Sequence, residues 1–285
     1  MKNTFLSNTF LLKYLMKKEH LPSGFVTALT FTILVLTVSI VLTPLLPLQS
    51  AHAASVISHA NYPGPRTSIA LSGNNIYVAW WDNKTGNNEI SFARSTDNGK
   101  TFDKTINLSN AKGASADSQI ATQGDNVYVS WWDNQTGSWN VFSRASTDGG
   151  KTFGDAVMLK SIGSSPLKKL TAPPSDTIPV DTAVAASGNN EYVMWWDNKT
   201  GNWEVSFAKS TDNGKTFGSP MNISNSPDAH SLGARIAADQ GSNVYISWVD
   251  IDEKTGQKQV LFRASNDNGQ AFGNPVMLNS TTTGR

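Results

Sequence analysis

Along Ile76-Tyr-Val-Ala-Trp-Trp-Asp82, alternate residues of an extended chain point to opposite sides, and both sides are apolar. Ile76, Val78 and Trp80 share one side; Tyr77, Ala79 and Trp81 share the other. A strand of this kind has to be buried on both faces. Ser68-Ile-Ala-Leu71 before it and Glu89-Ile-Ser-Phe-Ala-Arg-Ser95 after it are also strand-like. Between the second and third runs, Asn83-Lys-Thr-Gly86 reads as a turn, with glycine free to take positive φ. A second turn, at Asp97-Asn-Gly99, leads to a fourth strand near Thr105-Ile-Asn-Leu108. The pattern predicts four short antiparallel strands.

The same pattern recurs four times. Trp80-Trp-Asp-Asn-Lys-Thr-Gly-Asn87 is repeated letter for letter at 195–202, and Ser95-Thr-Asp-Asn-Gly-Lys-Thr-Phe102 at 210–217. Variants fill the other copies, at Trp131-Trp-Asp-Asn-Gln-Thr-Gly137 with Ser146-Thr-Asp-Gly-Gly-Lys-Thr-Phe153. The last copy has Trp248-Val-Asp250 with Ser265-Asn-Asp-Asn-Gly-Gln-Ala-Phe272. Four strands repeated about every 50 residues are the signature of propeller blades. The predicted fold class is therefore all-β, a propeller of four four-stranded blades at about 66–109, 117–161, 181–224 and 233–279. Tyr77, Tyr128, Tyr192 and Tyr245 stand three residues before the first tryptophan of each second strand. A stripe of this kind reads as core.

The first 53 residues differ in character. Lys2, Lys13, Lys17 and Lys18 precede a charge-free apolar run from Phe25 to Thr43, and Ala51-His52-Ala53 fits an A-x-A cleavage site. Residues 1–53 read as an export signal, or as an uncleaved anchor, since nineteen mostly apolar residues suffice to span a bilayer. Either reading places residues 54–285 outside the membrane, secreted or anchored at the cell surface. The segment carries a net +3, which leaves the remainder at −2. A slightly acidic body is unsuited to nucleic acid. The chain has no cysteine, which excludes disulfides and thiolate chemistry, and its four histidines make a multi-histidine metal site improbable.

Ser-x-Asp-x-Gly-x-Thr-Phe resembles the Asp-box, or bacterial neuraminidase repeat. The chain is similar to the sialidase-type Asp-box propeller superfamily over roughly residues 55–280. The box residues read physically as a staple: Asp97, Asp148, Asp212 and Asp267 can each accept hydrogen bonds from turn N–H groups. Gly99 can take positive φ, and Phe102 can plug the space between blades. A residue repeated in every blade is more readily structural than catalytic. The resemblance places a ligand on the face away from the boxes, which here carries the Trp-Trp-Asp hairpins.

On that face, aligned hairpin positions hold Asn88, Trp139, Trp203 and Lys258. Trp139 and Trp203 are candidate platforms for sugar rings, or alternatively packing residues. Arg66 and Arg235 fall at or before the first strands of their blades and are candidate ligand contacts. The resemblance implies that catalysis would need three clustered arginines for a carboxylate, a tyrosine–glutamate pair and a separate aspartic acid. The family's Arg-Ile-Pro motif is absent; this chain has Pro65-Arg66-Thr67. Glu89 and Glu204 share a repeat position on third strands, away from the axis. No complete catalytic set emerges. Asp250, Asp252 and Glu253 form an acidic hairpin, a candidate for calcium but more simply a solvated turn. No other cofactor is indicated. About 13 extra residues fall between the second and third blades, around 161–176.

A fourth-type strand at Ser55-Val-Ile-Ser58 would give five such strands for four blades. The expectation is a compact four-blade ring, with an open or self-associating arc as the alternative. The functional expectation is an exported, noncatalytic module that binds a glycan or a surface protein. A glycoside hydrolase of exo-sialidase type is the alternative, and an architectural envelope module the third.

Overall fold

The computed structural model describes residues 67–159, 182–198 and 200–279. The signal or anchor segment, Arg66, the strand expected at 55–58 and the insertion around 161–176 lie outside the described residues. The described residues form sixteen strands and no helix. Four consecutive strands make each antiparallel sheet. The first blade contains β1 (Thr67–Ser72), β2 (Asn75–Asp82), β3 (Glu89–Ser95) and β4 (Ile106–Asn107). The second contains β5 (Ser115–Gln123), β6 (Asn126–Asp133), β7 (Asn140–Ser146) and β8 (Val157–Met158). The third contains β9 (Ala183–Ser187), β10 (Asn190–Asp197), β11 (Glu204–Ser210) and β12 (Met221–Asn222). The fourth contains β13 (Ala229–Ala238), β14 (Val244–Asp252), β15 (Lys258–Ser265) and β16 (Val276–Met277). The last blade thus takes its outer strand from its own C-terminal side.

First strands pack on first strands: β1 on β5, β5 on β9 and β9 on β13. β5 and β13 each carry a bulge, between Ala116 and Gln119 and between Leu232 and Arg235. Positive φ at Asp117 and Gly233 marks both. The core lies between blades. β6 and β10 are buried from their second residue to their last, as two-sided apolar strands require.

The Asp-box has the same geometry in each blade. Ser95 Oγ donates to Asp97 Oδ1 at 2.7 Å and accepts from the Gly99 N–H at 2.8 Å. The Thr101 N–H and hydroxyl donate to the two carboxylate oxygens at 2.9 and 2.7 Å. The Thr101 hydroxyl bond leads the causes that hold Asp97 down at about 2. In the fourth box Ala271 supplies only its N–H, at 3.0 Å. All four aspartates therefore close turns.

The box also joins blades. Its third turn residue and its phenylalanine press on the preceding blade. Phe153 packs edge-on against Phe92 at 4.9 Å, and Phe272 against Phe207 at 5.2 Å. A Cβ at Gly150 would sit 2.8 Å from Phe92 Cζ, and one at Gly269 2.8 Å from Phe207 Cζ. Glycine is needed there for space as well as for positive φ. The tyrosine stripe lies beneath: Tyr77, Tyr128 and Tyr192 are fully buried.

The two end blades depart from the expected closed ring. Tyr245 is 37% exposed although its three counterparts are buried, and Ile69 on the opposite end of the array is 45% exposed. Phe102, expected to plug a gap between blades, is 49% exposed. The reason is positional: among the described residues, no blade lies before the first or after the fourth to cover these faces.

Candidate ligand-binding face

The face opposite the Asp-boxes is built by four hairpins and the crossings between blades. Each hairpin closes with a backbone bond from its glycine: Gly86 to Asn83 at 3.1 Å, Gly137 to Asn134 at 2.9 Å and Gly201 to Asn198 at 3.1 Å. In the fourth blade Gly256 bonds Asp252 at 2.9 Å. The hairpin aspartates are turned inward. Asp82 accepts from the Lys84 N–H at 3.1 Å and the Trp80 indole at 2.9 Å. Asp133 accepts from Gln135 N–H and Ser115 Oγ at 2.7 and 2.8 Å.

Glu89 and Glu204 hold the crossings to the next blade. Glu89 accepts from Ser109 Oγ and, at 3.1 Å, from the Ala111 N–H. Glu204 accepts from Ser224 Oγ and the Ser226 N–H. Asn87 and Asn202 assist by donating to carbonyls of the same crossings. Both carboxylates are buried. A carboxylate committed in this way positions a loop and has no free geometry for acid–base work.

The two candidate tryptophans part company. Trp203 is only 7% exposed and meets Trp196 edge-on at 6.2 Å. The platform expected there is a core ring with no open face. The Trp196 ring packs on it, and the Ser231 N–H of the crossing strand β13 bonds the Trp203 carbonyl at 2.8 Å. Trp139 is half-buried against the cluster of Trp132, Val141 and Trp195, so part of it faces solvent. Arg235 sits just past the β13 bulge, half-buried, its Nη1 donating to the Ala234 carbonyl at 2.8 Å. The predicted contacts thus lie on three blades, and Arg66 lies outside the described residues.

The acidic hairpin does not gather into a cation site. Asp250 accepts from Ser226, Ser231 and the Trp248 indole, at 2.6, 2.6 and 2.7 Å. Asp252 accepts from the N–H groups of Lys254 and Thr255. No group of three His, Cys, Asp or Glu side chains converges among the described residues. Glu253 instead lies 3.6 Å from His230 Nε2. His230 Nδ1 accepts from the Trp203 N–H at 3.2 Å, which puts the neutral ring's proton on Nε2, toward Glu253. This polar pair of the fourth blade, joined to the third through the Trp203 N–H, escaped the sequence reading, which weighed histidines only as metal ligands. The one sequence signal for it was the altered fourth hairpin.

Of the third-strand arginines, Arg94 and Arg144 are committed to partners, whereas the Arg263 Nε is buried without one. Arg94 pairs with Asp103 at 2.6 Å and donates to the Gly149 carbonyl at 2.8 Å. Arg144 donates to the Leu108 carbonyl of the blade before it at 2.7 Å. The box face also holds two inter-blade hollows. One, of about 430 Å³, is lined by Phe92, Arg94, Lys104 and Lys151. The other, of about 250 Å³, is lined by Thr152, Asp155, Asn213 and Lys215.

The fold defined by these blades is that of the sialidase-type propellers. No protein-family model and no curated protein matches the sequence. Solved structures match its fold. An α-L-arabinanase from Penicillium chrysogenum, complexed with arabinobiose, superposes with a TM-score of 0.54 at 14% identity, covering 79% of this chain and 68% of its own. A protein of unknown function from Dyadobacter fermentans gives 0.51 at 16%, covering 73% and 66%. A leech intramolecular trans-sialidase gives 0.50 at 11%, covering 78% and 52%. The chain spans about half to two thirds of the length of these proteins. At such identities the likeness is one of fold.

Proposed function

We propose that this chain is an exported, cell-surface propeller that binds a glycan or a surface protein without hydrolysing it. One observation carries the reading. Every glutamate of the repeat body is described, and three of the four are buried and hydrogen-bonded to serine. The fourth, Glu253, faces His230 on the hairpin side. The tyrosine–glutamate pair implied for an exo-sialidase needs a glutamate open to substrate, and burial closes off three of these four. The half-open Trp139 ring and the His230–Glu253 pair offer the mixture of apolar surface and directed polar groups that a saccharide uses.

The test is a fluorogenic glycoside panel, sialosides and arabinosides included, run from about pH 4 to 8 on the folded chain beside a glycan array. Absence of turnover with retained glycan or protein capture supports the reading. Turnover that disappears in Glu253→Gln or Arg235→Ala would move the chain to the hydrolases.

A further inference from the structure

The joint between neighbouring blades has two halves. The socket is a tyrosine–phenylalanine pair on the leading blade. Tyr77 and Phe92 stack at 6.3 Å with 19° between planes, and Tyr192 and Phe207 at 6.1 Å and 19°. The plug is the box of the following blade, whose glycine and phenylalanine seat on that pair. In the third-to-fourth joint the plug's asparagine also contributes, with Asn268 Oδ1 accepting from the Tyr192 hydroxyl at 3.5 Å.

Among the described residues, one socket and one plug remain unmatched. Tyr245 and Phe262 stack at 6.2 Å and 19°, the same geometry as the occupied sockets. Yet Tyr245 is exposed, and Val276, Met277 and Leu278 extend the apolar surface beside it. At the other end Phe102 projects into solvent. A Cβ on Gly99 would meet only Ile76 of its own blade. Asn98 holds φ at 60°, as Asn213 does, and Asn268 is at 58°. The free plug therefore has the backbone and the three side-chain types of the plug that fills the Tyr192–Phe207 socket.

We propose that the free plug of one copy seats in the free socket of a second copy, so that this protein assembles head to tail. Asn98, Gly99 and Phe102 of one protomer meet Tyr245 and Phe262 of the next. The contact extends the stacking already used inside the chain, and it covers two apolar faces that a solitary copy leaves wet. It is heterologous, so two copies close a ring only if their rotation permits; otherwise the array grows. One element is missing from the free socket. Arg94 and Lys209 donate to plug carbonyls in the occupied joints, whereas Ala264 holds that position in the fourth blade. The intermolecular joint therefore lacks that charge-assisted bond.

Sedimentation velocity on the full chain in a mild detergent tests this, with Phe102→Asp and Tyr245→Asp as variants. Both side chains are solvent-exposed, so folding is retained, and circular dichroism checks it. The wild type is expected at two or more times the 30.7 kDa of one chain, and each variant at single-chain mass. An equimolar mixture of the two variants retains one intact plug and one intact socket, and is expected to give a two-chain species that does not grow. A monomeric wild type, assembly untouched by either variant, or a mixture that stays monomeric would each overturn the proposal. Association through the apolar N-terminal segment appears as the second of these outcomes.

Discussion

Ser143 donates a hydrogen bond to Glu191 across the joint between the second and third blades. At the repeat position of Ser143 the first and third blades carry Phe92 and Phe207, and at that of Glu191 the others carry Ile76, Val127 and Val244. A large ring has been lost on one side and a longer polar chain fills its place from the other. Glu191 is fully buried, and its Oε2 has no partner.

Burial pushes the Glu191 carboxyl up to about 8 from 4.5, against the pull of the Ser143 bond and with help from the Asp212 charge. The folded chain thus binds a proton at pH values where the unfolded chain has released it. Its contribution is full below about pH 4.5 and is lost as pH rises through about 8. Thermal melts should show falling stability across that window. Glu191→Gln should flatten the fall and raise the melting temperature at pH 8. A Glu191→Gln profile parallel to wild type would refute the assignment.

The buried Tyr77 hydroxyl is reached by no side chain of the second box. Its counterparts Tyr128 and Tyr192 reach Asn213 and Asn268, where the second box has Gly149. Gly149 has φ at 69°, a region asparagine tolerates, and a Cβ there would be 3.7 Å from the Tyr77 hydroxyl. Gly149→Asn should therefore stabilise the fold by about 1 kcal/mol, through a stiffer unfolded chain and one new bond. Chemical denaturation at fixed m-value measures it.

Gly269→Ala is the opposite case. Its methyl would strike Phe207 from a positive-φ backbone. A loss of roughly 2–4 kcal/mol is expected from strain and overpacking together. In the Tyr245→Asp background, which keeps the plug free, Gly99→Ala meets only Ile76 at 3.1 Å, and should lose less than Gly269→Ala. Equal losses would contradict the plug-and-socket account of the joints.

Trp203→Ala should cost about 3–5 kcal/mol, as for a core ring. Trp139→Ala should cost roughly half as much, and should weaken any glycan captured on the hairpin face. Paired melting and binding curves separate the two. If binding falls only in proportion to unfolding, Trp139 is a packing residue.

Repetition made the blades easy to read in the sequence. Alternation placed the strands, the Trp-Trp-Asp and Asp-box signatures placed the turns, and the match of every box Ser–Asp pair fixed its chemistry. What escaped the sequence reading belongs to contacts between repeats. Trp139 and Trp203 occupy one aligned position, yet Trp203 is buried edge-on to Trp196 while Trp139 is half-buried. The Ser143–Glu191 exchange joins residues 48 apart, each unremarkable in its own strand. Phe102 and Phe272 look equivalent in sequence, but only the latter has a blade before it. Such differences depend on what lies next door, which a local pattern does not contain.

Each blade takes all four strands from one uninterrupted stretch of chain. Among the described residues, no strand is lent across the array to fasten its ends. Duplication or deletion of a whole repeat would therefore leave every remaining sheet intact and the same two terminal surfaces on display. The number of repeats becomes a quantity that evolution can vary in whole steps without redesigning the unit, as in linear solenoids.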